Sequence, residues 1–404
     1  MMAPPIQSER PFPAINTSLN FEEARALLPP GPRVGILHDW LNGMRGGEKV
    51  LEVILEIFPD APIYTLFLDK QHLSSTITSH PIRASLLNRV PGSGRLYRHM
   101  LPLMPMVMES PKFRDIDLLI STSHCVVKAA RAPRRVPHVS YIHAPMRYIW
   151  DQFPEYFGPG KASLPARALM TALRRPLQWW DRATAGRADY LIFNSQNIAS
   201  RVARHWGRSG VVVPPPVDLT RFRPAADGLP PAQRPAWLVV SALVPYKRVD
   251  LAIAACAHRG EPLVVAGRGP EKERLEQLAR ELKADATFLG WIDDDTLSTL
   301  YQQARGLLFP GEEDFGITPL EAMASTTPVV ALARGGALET VAPGVTGVLF
   351  DTPTVDAMAG AMGECMTNAW SSDRLRQHAH QFGRDQCRLR LAQVLASVML
   401  SHGQ

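Results

Sequence analysis

Glu313 and Glu321, separated by seven residues, lie in the stretch from Leu308 to Glu321, LFPGEEDFGITPLE. An apolar strand end, Leu307 to Phe309, runs into a turn at Pro310-Gly311, an acidic cluster (Glu312, Glu313, Asp314), Gly316 and then a helix start. Thr318 as N-cap, Pro319 as first helical residue and Glu321 three positions after the cap make a capping-box signature. A strand feeding a tight loop into a helix leaves free N–H groups and the positive end of the helix dipole at the loop, where a phosphate binds. Carboxylates beside such a site fit a sugar nucleotide: its hydroxyls need acceptors while its diphosphate needs donors. The bland account is that Glu321 closes a capping box and that Glu312 to Asp314 form a solvated acidic loop.

Other segments could share that chemistry. SALVPYKRVDLAIAA places Lys247 and Arg248 between a strand and a helix, where both cations reach a diphosphate. VVAGRGPEKERLEQLA has a strand-glycine-helix form at Gly267 and Gly269. Asp293 to Asp295 imitate a metal-binding D-x-D, but acidic residues opening a helix complement its dipole, and that reading is preferred. In the first half, Gly46-Gly47 precede an amphipathic helix with Val50, Val53, Ile54 and Ile57 at helical spacing. Such a turn lets backbone approach a ligand, although it matches neither G-x-G-x-x-G nor a phosphate-binding P-loop. His143, in YIHAPMRYIWD, follows a strand and so sits where a parallel sheet faces its ligand crevice.

The elements that must position these residues follow from the hydrophobic pattern. Strands are expected at Arg33–Leu37, Ile63–Phe67, Asp117–Ser121, His138–Ile142 and Asp189–Phe193. After a stretch with seven prolines between Pro214 and Pro235, they resume at Trp237–Ser241, Leu263–Ala266, Thr287–Leu289, Gly306–Phe309, Val329–Leu332 and Val348–Phe350. Strands alternating with helices argue doubly wound parallel sheets, and 404 residues suit two domains. The expected division is a partly disordered leader over 1–30, a Rossmann-like domain over 31–213, a stiff linker over 214–236 and a second Rossmann-like domain over 237–383. An amphipathic helix from Ser371 onward closes the chain.

Composition narrows the partners. Hydrophobic residues make up 46% and charged residues 20%, which describes a globular protein with real cores. No apolar run is long enough to span a bilayer, and the N-terminus lacks the apolar core of a signal peptide. Four scattered cysteines suit reduced thiols in a cytoplasm and give no zinc motif. Residues 1–215 carry 26 Lys+Arg against 16 Asp+Glu, whereas the remainder has 18 against 22. The basic half invites phosphates. Pro81 to Phe113, with Arg83, Arg89, Arg95 and Arg98, and Lys161 to Arg187, with Trp179-Trp180, look like in-plane membrane segments. The alternative for each is a solvated helix packed on its own domain.

In order and spacing, the E-x7-E element, the Lys247 segment, the Gly267 segment, FLGWIDDD, Gly335-Gly336 and the His-x-Pro of His143 resemble the retaining glycosyltransferases of family 4, over roughly residues 33–350. The resemblance implies a GT-B fold, with two Rossmann-like domains facing across a cleft and a C-terminal helix (384–404) crossing back to the first. It implies that Lys247, with Arg248, neutralises the donor diphosphate, that Glu313 holds sugar hydroxyls and that Glu321 binds the ribose. Phosphate would take the N–H groups of Phe315, Gly316, Ile317 and Thr318, and the base would lie by Gly290, Trp291 and Ile292. Ser241, Gly267, Arg268, Gly46 and Gly47 complete the donor set, and His143 touches the sugar from the opposite domain. Arg45, Arg147, Trp179 and Trp180 are assigned to the acceptor or membrane side. One departure stands out: many members have an arginine five residues before the lysine, where this chain has Ala242.

The implied reaction needs no metal, because cations and a helix N-terminus stabilise the departing nucleoside diphosphate; no nucleophile stands out, which favours front-face attack. HDWLNGMRGGEKVLE and SYIHAPMRYIWD look most like bacterial surface-polysaccharide mannosyltransferases. GDP-mannose is the expected donor, with a UDP-sugar such as UDP-glucose as alternative, and a lipid-diphosphate-linked or oligosaccharide acceptor. The expected location is cytoplasmic, peripheral at the inner face of the plasma membrane. A sugar-nucleotide epimerase is the rival enzyme, and nucleic-acid binding is disfavoured because the carboxylates would oppose it.

Overall fold

The computed structural model describes residues 12–110, 112–159, 162–225 and 229–402. Lys161, the leader through residue 11 and the side chains of Arg95 and Arg98 lie outside this description. The chain forms two compact units, Met1–Pro216 with Asp385–Gln404, and Val217–Arg384.

The first unit is built on β1 (Val34–Leu41), β2 (Ile63–Leu68), β3 (Ile82–Ala84), β4 (Leu118–Ser123), β5 (His138–Ile142), β6 (Tyr190–Phe193) and β7 (Val211–Val212). Their order is β3-β2-β1-β4-β5-β6-β7, and every pairing is parallel. β4, β5 and β6 are buried along their whole length, as strands covered on both faces must be. β1 runs four residues past the expected end at Leu37. Polar His38 and Asp39 stay in the strand because each finds partners inside the protein. The edge strands β3 and β7, three and two residues long, leave no pattern in sequence.

In the second unit, β8 (Ala236–Val240), β9 (Leu263–Ala266), β10 (Ala286–Gly290), β11 (Ala304–Phe309), β12 (Val329–Leu332) and β13 (Gly347–Phe350) pair in the order β10-β9-β8-β11-β12-β13, again all parallel. These strands fall within two residues of their expected places.

The chain end differs from the single helix expected beyond Ser371. It forms two helices, Ser372–His380 and Arg384–His402. Leu375 and Ala379 of the former enter a core cluster of the second unit, while Cys387, Leu391 and Leu395 of the latter enter the main cluster of the first. The break lies where Val217 donates its N–H to the Phe382 carbonyl at 2.9 Å, pinning the chain's entry into the second unit to its exit.

Strand order reverses between β1 and β4 in the first sheet and between β8 and β11 in the second. In open α/β sheets, ligands bind outside the carboxyl ends of the strands at such a switch point.

Candidate active site

In the second unit, β8 delivers the loop Ser241–Arg248 and β11 delivers Pro310–Gly316 to the two sides of the switch point. Gly311 lets these loops touch, since a Cβ there would stand 2.7 Å from the Lys247 Cα. Lys247 and Glu313 meet across the gap as an ion pair. Glu313 is fixed from behind, where its carbonyl accepts the Gly336 N–H at 2.8 Å. Arg248 ends the turn Pro245–Lys247 and opens the helix Val249–Arg259 with φ 53° and ψ 37°, a left-handed conformation that costs a residue with a Cβ about 1–2 kcal/mol. Its guanidinium Nε donates to the Asp250 Oδ1 at 3.2 Å.

The helix after Glu313 starts earlier than its capping signature suggests. It spans Ile317–Ala324, and the N-cap is Gly316 at φ 99°, with no side-chain cap. Thr318 is therefore inside the first turn, and Glu321 closes no capping box. Its carboxylate accepts a hydrogen bond from the Tyr301 hydroxyl at 2.9 Å. Burial pushes the Tyr301 phenol well above its usual range, and the Glu321 charge adds to that, so the hydroxyl remains a donor. The N–H groups of Ile317 and Thr318 open this helix at the carboxyl end of β11, as anion binding requires.

Ser241 follows β8 directly, and the Gly267 N–H donates to the Gly290 carbonyl at 2.7 Å, tying the ends of β9 and β10 together. Trp291 is 66% exposed, with the Arg268 guanidinium 5.8 Å from its ring centroid; Ile292 is half-buried beside it. Asp293 caps the helix Asp294–Gln303 by accepting the Thr296 N–H at 2.8 Å, and Asp294 pairs with Arg221, which fits the helix-start reading of this acidic run.

In the first unit the switch point gathers a polar cluster. His38 Nδ1 bonds the Thr122 hydroxyl, and its Nε2 lies 3.7 Å from Glu48. Glu48 accepts the Arg45 N–H at 3.0 Å and so holds the start of the helix Gly46–Ile57 against β1. Burial raises the Glu48 carboxyl, but hydrogen bonding and charge from His38 outweigh it and leave it below its usual value. Asp39, fully buried, accepts backbone N–H groups from His124 at 2.7 Å, Cys125 at 2.8 Å, Val126 at 2.8 Å and Val127 at 3.0 Å. One carboxylate thus shapes the loop after β4 and places His124.

His143 is pinned at both backbone ends, its N–H donating to Ser123 at 2.8 Å and its carbonyl accepting from Asn194 at 2.9 Å. Its Nε2 is buried, with no hydrogen-bond partner among the described residues. A Cβ on Gly47 would lie 3.4 Å from that nitrogen, so the glycine keeps the space over it clear. Burial lowers the His143 pKa well below 6.5, and the neighbouring basic side chains of His124, His38 and Arg147 lower it further, which favours the uncharged imidazole.

His38, Asp39, Glu48, His124 and Tyr301 escaped sequence reasoning. The available signal was HDW and STSHC at the carboxyl ends of β1 and β4, the two strands flanking the switch point. Of the two tryptophans assigned to the acceptor or membrane side, Trp179 is half-exposed, whereas Trp180 packs on a core cluster with the Lys128 Nζ 5.5 Å from its ring centroid. Arg147 lies half-buried in the loop after β5, near enough for its charge to act on His143.

Two doubly wound parallel-sheet units in one chain, each with its polar groups at a switch point, define the GT-B architecture. A model of glycosyltransferase family 4 matches residues 68–221, and one of group 1 glycosyl transferases matches residues 225–384. The two matches make the chain similar to family 4 and group 1 glycosyltransferases over most of its length. It is similar to a GDP-mannose-dependent α-(1-6)-phosphatidylinositol monomannoside mannosyltransferase of Mycolicibacterium smegmatis, 34% identical over 45% of this chain and 54% of the relative. It is also similar to a D-inositol 3-phosphate glycosyltransferase of Streptomyces bingchenggensis, 32% identical over 53% of this chain and 54% of the relative. The chain spans about half the length of the curated relatives it matches. Among solved structures, sucrose-phosphate synthase from Thermosynechococcus elongatus shares the fold, with TM-score 0.69 and 20% identity over 91% of this chain and 100% of that one. So does Anabaena HepE in complex with UDP-glucose, with TM-score 0.65 and 20% identity over 90% and 99%.

Proposed function

We propose that this chain is a retaining hexosyltransferase that moves mannose from GDP-mannose to a lipid-diphosphate-linked or oligosaccharide acceptor in polysaccharide assembly, at the inner face of the plasma membrane. The observation that carries the reading is the Lys247–Glu313 pair across the switch point, with Glu321 and the helix start at Ile317 beside it. A sugar nucleotide replaces each half of the pair: its diphosphate takes Lys247 and its sugar hydroxyls take Glu313. As the anomeric bond breaks, charge grows on the leaving diphosphate, where Lys247, Arg248 and the helix N–H groups stabilise it. Arg248 then supplies the charge that Ala242 lacks. Glu321, held by Tyr301, accepts from the ribose, and Trp291 with Arg268 borders the base. At the first unit's own switch point, His143 offers its buried Nε2 to a sugar hydroxyl. The mannose assignment is supported by relatives whose names specify GDP-mannose.

The test is a thermal-shift panel of GDP-mannose, UDP-glucose, UDP-N-acetylglucosamine and their diphosphates, with and without EDTA, followed by anomer analysis of the product. A ligand bound only by folded protein raises the melting temperature. A shift with GDP-mannose that persists in EDTA is expected. A shift with a UDP-sugar alone overturns the donor, and none at all overturns the site.

A further inference from the structure

The helix Leu164–Thr184 turns Met170, Leu177, Asp181 and Thr184 into the protein. Its other face carries Leu169, Ala172, Pro176 and Trp179, spaced three or four residues apart and all solvent-exposed. Leu169 is 54% exposed, Trp179 50%, and Leu164 at the helix start 75%. Arg175 and Arg182 flank this stripe and are exposed too. The helix contains one carboxylate, Asp181, which is buried and bound to Lys128 at 2.9 Å. An outer face of leucine, tryptophan and arginine with no acidic residue is the reverse of an ordinary solvated helix.

A second segment shares the same support. Tyr97, Leu101, Met104 and Met108 join Met170 and Leu177 in one core cluster. Leu103 and Met106 between them are exposed, Met106 by 72%. The nearby carboxylate of Glu109 is neutralised by Arg131 at 2.8 Å and Arg187 at 3.0 Å.

We propose that this face docks on an anionic membrane, with the helix Leu164–Thr184 lying in the headgroup plane. Leu169 and Trp179 enter the apolar boundary, and Arg175 and Arg182 meet lipid phosphates. Among the described residues no helix is long and apolar enough to cross a bilayer, so the contact is in-plane. The inference rests on the proposed location at the plasma membrane, which it deepens by naming the docking face, and is independent of which sugar is moved.

Co-sedimentation with phosphatidylcholine vesicles, with and without phosphatidylglycerol, tests it at low and high salt. Binding to the anionic vesicles is expected, falling with salt. The pairs Leu169→Asp/Trp179→Asp and Arg175→Glu/Arg182→Glu should each weaken it roughly tenfold or more. Melting temperature and the shift with GDP-mannose, read on the same samples, report folding and donor binding separately. Equal binding to both vesicle types, or binding unchanged in both variants, overturns the proposal. So does a Trp179-dependent dimer in sedimentation velocity without vesicle binding.

Discussion

Replacing Asp181 by asparagine tests how the first unit supports the segment that begins at His143. The Asp181 carboxylate takes the Lys128 ammonium on one oxygen at 2.9 Å, and the Trp150 and Trp206 indole N–H groups on the other, both at 2.8 Å. Lys128 is 1% exposed, and its Nζ lies 4.7 Å from the Trp206 ring centroid. An asparagine keeps an oxygen for the indoles but leaves the buried ammonium without a counter-charge. Removing one partner of a buried pair costs about 3–5 kcal/mol. At about 2–4 °C per kcal/mol for a unit of this size, the melting temperature falls by roughly 10 °C. Hydrogen exchange over residues 143–151 and 196–206 assigns the loss to the first unit. The double variant Asp181→Leu/Lys128→Met, which removes both charges, should be more stable than Asp181→Asn. A shift below about 2 °C for Asp181→Asn, or a double variant less stable than the single one, refutes this account.

Glu313→Gln should lower kcat/KM about 100- to 1000-fold while leaving the thermal shift with GDP alone intact or larger, because Lys247 is released; initial rates and melting curves decide this. Arg248→Gly relieves a left-handed residue, so stability should hold or rise slightly while the KM for the donor increases; lower stability with an unchanged KM contradicts the role given to Arg248. Burial holds His124 and His138 at about 4, against partial opposition from Asp39 and Asp189, below the ordinary 6.5. The unfolded chain then binds more protons between pH 6.5 and 4, so stability declines as pH falls through that window, by about 3 kcal/mol for each histidine. Melting temperature against pH reads the slope, and His138→Gln should reduce it; a flat profile across the window refutes the assignment.

Much of the sheet framework was legible because parallel strands buried on both faces are short apolar runs bounded by turns, and β9 and β12 match their expected limits. The misreadings have physical causes. At β1 the polar pair His38-Asp39 looks like a loop until its partners, supplied some 80 residues away by Thr122 and the loop after β4, are known. At Thr318 the local capping pattern loses to Gly316, whose positive φ starts the helix earlier, and Glu321 turns to Tyr301, a residue on another helix. Spacing cannot show such tertiary choices. Trp179 and Trp180 share one assignment although adjacent helical residues differ by about 100° in direction, and only Trp180 packs on the core.

The helix Arg384–His402 belongs to the first unit's core, although the whole second unit precedes it in the chain. When Pro216 leaves the ribosome, the core cluster that includes Ala24, Val53 and Ile57 still lacks Leu391, Leu395 and Val398. At about 5–20 residues per second, the intervening segment takes roughly 10–30 s to synthesise. The nascent protein therefore carries an open apolar groove through the making of its other half, and a chaperone that shields such grooves has its window until the final helix seats.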